Sequence, residues 1–216
     1  MADTRSTLIP SKAPNLPMAP GGYSPQFMEQ LNNALRLYFA QIDNINASVL
    51  GLNGGRYIEC PNGLFFNTTS QTIAAINTAY PIEYNAVYLA DGVRLVDAYK
   101  VYIDVGGIYN FQYTGQLQST NSSAKNIDIW LARDGVDIGY STRMFTLSGS
   151  GQNLSISFNF NIDVLPGSYI QLNWASDSTN VDLHASTAVA PHPGTSSSIL
   201  AINYVSALPV ILPTPP

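Results

Sequence analysis

Leu154, Ile156, Phe158, Phe160 and Ile162 occupy every second position of one stretch, with Ser155, Ser157, Asn159 and Asn161 between them. Period-two alternation places one apolar row on one side of a pleated strand, whereas a helix would scatter the same residues around its circumference. Ile127, Ile129 and Leu131 repeat the rhythm, and the turn pairs Asp134-Gly135 and Pro166-Gly167 punctuate it. Over residues 56–205 the pattern predicts strands at Gly63–Phe66, Ile82–Tyr88, Tyr99–Val105, Gly107–Leu117, Asn126–Arg133, Ile138–Thr146, Leu154–Ile162, Ser168–Ala175, Val181–Ser186 and Ser198–Tyr204. Short strands in succession, with no convincing helix among them, predict a mainly β head built as a sandwich or jelly roll.

Upstream the period changes. Met28, Leu31, Leu35, Tyr38, Ile42, Ile45 and Val49 are separated by three and four residues in strict alternation. Met28, Leu35, Ile42 and Val49 then take heptad position a, and Leu31, Tyr38 and Ile45 take position d. A strict 3.5-residue repeat favours a left-handed supercoil, and Ile at both a and d favours more than two strands. Ser24 is a good N-cap, Pro25 suits the first helical position and Gly51 suits the C-terminus, so residues 24–51 are expected as a short trimeric coiled coil. Phe27, Leu37 and Phe39 widen the stripe and keep open a helix that lies on the head instead. The seam would span roughly 33 Å at about 1.5 Å per residue.

The two ends read differently. Pro10, Pro14, Pro17 and Pro20 break residues 1–23, and Gly21-Gly22 supplies a joint. Leu8, Ile9, Leu16, Met18 and Tyr23 dot this segment with apolar anchors, as in an extended arm that orders against a partner. Residues 206–216 form a second proline-rich, apolar tail, expected to dock on a neighbour.

Only 11% of residues are charged, against about 25% in an ordinary soluble domain. Surfaces that meet copies of themselves are depleted in charge. Lys and Arg are scattered, so nothing tracks a nucleic-acid backbone. No apolar run approaches the roughly 20 residues of a membrane span. The start Met-Ala-Asp-Thr-Arg is not followed by an apolar run, and the single cysteine, Cys60, excludes an intrachain disulfide, so a reducing cytosol is the expected place of synthesis. Catalytic chemistry is nearly absent. His184 is expected in a strand as a packing or capping residue, His192 sits between Pro191 and Pro193, and Cys60 has no nucleophile context. Asp134 with Asp137, and Asp177 with Asp182, lack the dense oxygen spacing of a calcium loop and suit turns better. No catalytic, cofactor-binding or metal site is assigned.

Four stretches together resemble the head of the complement/tumour-necrosis-factor-like jelly-roll superfamily, in the form found in phage virion proteins. They are QTIAAINTAYPIEYNAVY (Gln71 to Tyr88), KVYIDVGGIYNFQYTGQ (Lys100 to Gln116), IDIWLARDGVDIGYS (Ile127 to Ser141) and VLPGSYI (Val164 to Ile170). Ser168 departs from an Asp common at that place. The likeness runs from Gly63 to Tyr204, and it implies a tight trimer formed through an apolar axial face. Ala13 to Asn44, APNLPMAPGGYSPQFMEQLNNALRLYFAQIDN, is similar to N-termini of marine short-tailed phage structural proteins, which implies a shared anchor ahead of exchangeable heads.

The expectation is a non-enzymatic homotrimer of a phage particle, assembled in the host bacterial cytoplasm and localised to the virion. It would be a capsid decoration or head spike, or a short tail-associated fibre. Residues 1–23 would bind other capsid or tail proteins, and residues 56–205 would form the head. The alternative is a host-receptor or glycan-binding adhesin head. No cofactor, nucleic acid or membrane insertion is expected.

Overall fold

The computed structural model describes residues 14–15, 21–50 and 60–208, with side chains of the N-terminal helix described as far as Asn46. The chain divides into two units at residues 59 and 60. In the first, α1 (Pro25–Leu50) opens where Ser24 caps it: the Phe27 N–H donates to the Ser24 Oγ at 3.3 Å and the Met28 N–H to the Ser24 carbonyl at 3.1 Å. The first bond satisfies one of the amides a helix leaves orphaned at its start, and the second is the first of the helix's own i→i−4 bonds.

The described residues of the second unit form strands, turns and loops. Its strands are β1 (Asn62–Asn67), β2 (Gln71–Thr72), β3 (Tyr80–Pro81), β4 (Ala86–Asp91), β5 (Val93–Val96), β6 (Lys100–Ile103) and β7 (Gly107–Ser119). They continue as β8 (Lys125–Arg133), β9 (Val136–Asp137), β10 (Arg143–Leu147), β11 (Gln152–Val164), β12 (Tyr169–Ser176), β13 (Val181–Leu183) and β14 (Ser198–Ser206). One sheet runs β4-β1-β14-β7-β11, with β13 and β2 extending one end of β7. The other runs β5-β6-β12-β8-β10. All pairings are antiparallel. The principal strands β1, β6, β7, β8, β10, β11, β12 and β14 therefore interleave as first-eighth-third-sixth in one sheet and second-seventh-fourth-fifth in the other. That order is the two-Greek-key jelly roll, so the fold class expected from the alternation holds.

The core lies between the sheets. Phe65, Tyr109, Phe111, Tyr113 and Leu117 point in from the first sheet, and Val101, Ile129, Leu131, Leu172 and Trp174 from the second, each at most 2% exposed. Asp134 and Gly135 both carry positive φ, as a type I′ hairpin turn between β8 and β9 requires. At Gly107 a side chain would run into the Tyr204 ring and the Ser206 carbonyl, so only glycine lets β14 pass this close. The head's chain enters and leaves at one place: Asn62 of β1 lies opposite Asn203 of β14, and the Tyr204 N–H donates to the Pro61 carbonyl at 3.0 Å.

Three strand expectations need correction. Ile82–Tyr88 is not one strand. Tyr80–Pro81 pairs with β12 and Ala86–Asp91 with β1, so the chain changes sheets between them. Ile138–Thr146 is also broken: residues 138–142 form a tight turn and only Arg143–Leu147 joins β8. Val93–Val96, left out of the sequence-based strands, pairs with β6.

Candidate oligomer interface

Alternation that buries one row of a strand exposes the other, and on the first sheet the exposed row is chemically unusual. Along β7 and β11, five residues of each strand face outward in register: Asn110 opposite Asn161, Gln112 opposite Asn159, Thr114 opposite Ser157, Gln116 opposite Ser155 and Gln118 opposite Asn153. Every member is an amide or a hydroxyl. Three pairs bond across the strands: Asn110 Nδ2 donates to Asn161 Oδ1 at 2.7 Å, Thr114 Oγ1 to Ser157 Oγ at 3.4 Å, and Gln116 Nε2 to Ser155 Oγ at 3.3 Å. Toward β14, β1 and β4 the same face turns apolar. Ile199 lies opposite Phe66 and Thr114, Ala201 opposite Leu64 and Gln112, and Leu64 opposite Leu89. Charge is confined to the margins, at Asp91, Asp163 and Asp182, where those strands end.

Such a face can meet itself. Under rotational symmetry a residue near the axis confronts its own copies. Amides and hydroxyls both donate and accept, so they can form rings of like with like. Charged groups at the same place would repel. The open side of the sandwich between β10 and β11 adds apolar material: Phe145 stacks on Phe158 with centroids 6.3 Å apart, Phe160 meets Phe158 edge-on at 5.7 Å, and the Arg143 guanidinium covers Phe160 at 4.6 Å. These rings are only partly buried against the core.

The residues singled out from sequence fall elsewhere. Leu31, Leu35, Tyr38, Ile42 and Ile45 are half-buried positions of α1, and Met28 is 39% exposed. Val49 belongs to the same helix, but its side chain lies outside the described residues. Of the arm residues, Tyr23 is exposed, while Leu8, Ile9, Leu16 and Met18 lie outside the described residues. Residues 209–216 of the tail also lie outside them. The sheet face itself is not among the residues the sequence points to. Its outward rows are readable as alternate positions, but their pairing across strands separated by more than thirty residues is not.

The titratable groups do structural work. His184 Nδ1 sits 3.1 Å from Asp182 Oδ2, and Cys60 is exposed. Asp134 Oδ1 accepts the Tyr169 N–H at 2.9 Å, and Asp137 Oδ1 accepts the Trp130 indole N–H at 2.7 Å. Among the described residues, no three His, Cys, Asp or Glu side chains gather as a metal site would need.

The class defined by these features is a two-sheet β jelly roll preceded by an α-helix. No family model matches the chain, and no curated protein sequence matches it. Among solved structures it is similar to the globular domain of zebrafish complement 1qA protein, at 12% identity, covering 69% of this chain and 100% of that one with a TM-score of 0.44. The assignment of fold stands on the strand order and not on that likeness.

Proposed function

We propose that this chain is a non-enzymatic structural protein of a phage particle, a homotrimer that displays three jelly-roll heads on a helical stalk. The observation that carries the trimer is the self-complementary face of β7 and β11, whose charge lies only at its margin, at Asp163. The 3-4 spacing from Met28 to Val49 supports it independently, because two elements in series favour one oligomeric state. The assignment to a phage particle rests on the likeness of residues 13–44 to short-tailed phage N-termini. In this reading residues 1–23 anchor the trimer to capsid or tail proteins. Each arm binds weakly, since it loses chain entropy on ordering, and three arms on one body compensate by raising one another's effective concentration.

The test has two stages. Light scattering of the purified chain should give three times 23.3 kDa. A monomer at micromolar concentration overturns the trimer. A chain lacking residues 1–23 should remain trimeric and fail to join particles assembled without the native protein, read on a gel of purified virions. Normal incorporation of that shortened trimer would move the attachment surface to the head or the 206–216 tail.

A further inference from the structure

On the second sheet, opposite the face just described, the turn at residues 138–142 closes a recess of about 370 Å³ lined by Asp128, Trp130, Asp137, Gly139, Tyr140 and Thr142. That is within the roughly 300–1,000 Å³ typical of small-molecule sites. The turn is clamped from below. Ser141, 3% exposed, accepts the Leu131 N–H at 3.0 Å and donates to the Ile138 carbonyl at 2.8 Å, while the Ile138 N–H donates to the Leu131 carbonyl at 2.8 Å. With Ile138 packed on the core and Ser141 drawn down, the tip is thrust outward.

Tyr140 occupies that tip with φ of 62° and a side chain as exposed as in an extended peptide, 103%. Left-handed backbone is a place for glycine or asparagine, and a large ring in water gains nothing for folding. An aromatic residue held in an unfavourable conformation and contacting nothing points to a use outside the fold. The other ring of the recess, Trp130, is half-buried on the outward side of β8, and its indole is fixed by the bond to Asp137. Asp128 also lines the recess, but its Oδ1 is shielded from solvent and has no hydrogen-bond partner, so that oxygen lies out of a ligand's reach. Its carboxyl is held above the ordinary Asp range by burial and then by the nearby Asp177.

We propose that this recess binds a neutral pyranose sugar, with the Tyr140 and Trp130 rings as stacking platforms and the Asp137 and Thr142 oxygens as partners for its hydroxyls. A sugar ring offers apolar C–H faces to aromatic rings and donors around its rim, which matches a recess rich in rings and acceptors. An ammonium site would be a cage of facing rings. Among the described residues, Trp130 and Tyr140 make no ring contact with each other, so they flank a space rather than box a point. The proposal goes beyond the virion reading and does not depend on it.

The test uses the full chain and its two indoles. Trp174 is 1% exposed, so acrylamide quenching reports on Trp130. The probes are methyl glycosides of hexoses and N-acetylhexosamines, oligosaccharides released from bacterial lipopolysaccharide, and tetramethylammonium chloride. At least one sugar should protect Trp130 saturably. Tyr140→Ala should weaken that sugar about tenfold and Tyr140→Phe should hold it within about twofold, since stacking needs the ring and not the hydroxyl. Both variants should keep the wild-type melting temperature or exceed it, because the ring touches nothing. Three results would each overturn the proposal. They are no sugar protecting Trp130 at about 100 mM, far above a weak millimolar site; protection by tetramethylammonium alone; and sugar binding unchanged in Tyr140→Ala.

Discussion

Gln112→Glu puts one unit of charge into the centre of the β7–β11 face without changing shape. Gln112 is exposed, lies opposite Asn159 on one side and Ala201 on the other, and has Asn110 and Thr114 as its outward neighbours along β7. None of these can neutralise a carboxylate. In a lone head the new group remains in water, and the cost should stay within about 0.5 kcal/mol. In a trimer whose axis crosses this face, symmetry delivers three carboxylates together. At a mutual distance of about 8 Å and an effective dielectric of about 20, each pair repels by about 2 kcal/mol, or about 6 kcal/mol per trimer. Dissociation to three chains depends on concentration squared, so the midpoint should rise roughly a hundredfold. That penalty adds to whatever α1 contributes, which makes the full chain the right sample. Sedimentation of a dilution series reads the midpoint. Gln112→Lys should shift it in the same direction, and an equimolar mixture of the two variant chains should recover part of the loss. A wild-type midpoint in both variants would remove this face from the oligomer interface.

Tyr84 and Tyr113 bury hydroxyls with no hydrogen-bond partner, so Tyr113→Phe should stabilise the head by about 1 kcal/mol in urea unfolding, and a loss of that size would mean the hydroxyl is bonded after all. Ser141→Ala strands the buried Leu131 N–H and should cost about 2 kcal/mol, a fall of roughly 4–8 °C in Tm by calorimetry. Asp128 has its carboxyl raised chiefly by burial, so folding favours the protonated form and ionisation weakens the native state. Asp128→Asn should therefore raise Tm at pH 7, and the gain should fade as pH falls toward the ordinary Asp value of about 3.9 and be gone below it; a gain that persists there would rule out the charge as its cause. Replacing Ile42 and Ile45 together by Asp should cost several kcal/mol per trimer, since charge enters an apolar seam. Unchanged mass and Tm would mean either that α1 is not a coiled coil or that the head alone sets trimerisation.

What could be read in advance divides along a physical line. Ile156 is buried and its neighbours Ser155 and Ser157 exposed because side-chain alternation is a property of the strand itself. The turns at Asp134-Gly135 and Pro166-Gly167 were legible for the same reason, since φ preference is local. The stretch after Tyr80 was not. The Ile82 N–H donates to Leu172, that of Tyr84 to Ala98 and that of Asn85 to Phe66, so three residues of one short stretch have partners in three different segments. The turn at 138–142 failed differently. Ile138, Tyr140, Thr142 and Met144 alternate like a strand, yet the Ser141 hydroxyl takes the Leu131 amide that a strand neighbour would have taken. The face of β7 and β11 was half legible: its polarity was in the sequence, and its continuity needed the register.

That Asn62 and Asn203 lie side by side makes the head a cartridge. Everything covalent passes through one socket, so a different N-terminal segment can be spliced ahead of Cys60, or cargo fused after Ser206, without re-threading a single ladder. Recombination at those two points would exchange whole heads between carriers as intact units. For the engineer, the loop at 120–124, at the other end of β7 from that socket, is the position where an inserted peptide would be displayed without disturbing the attachment.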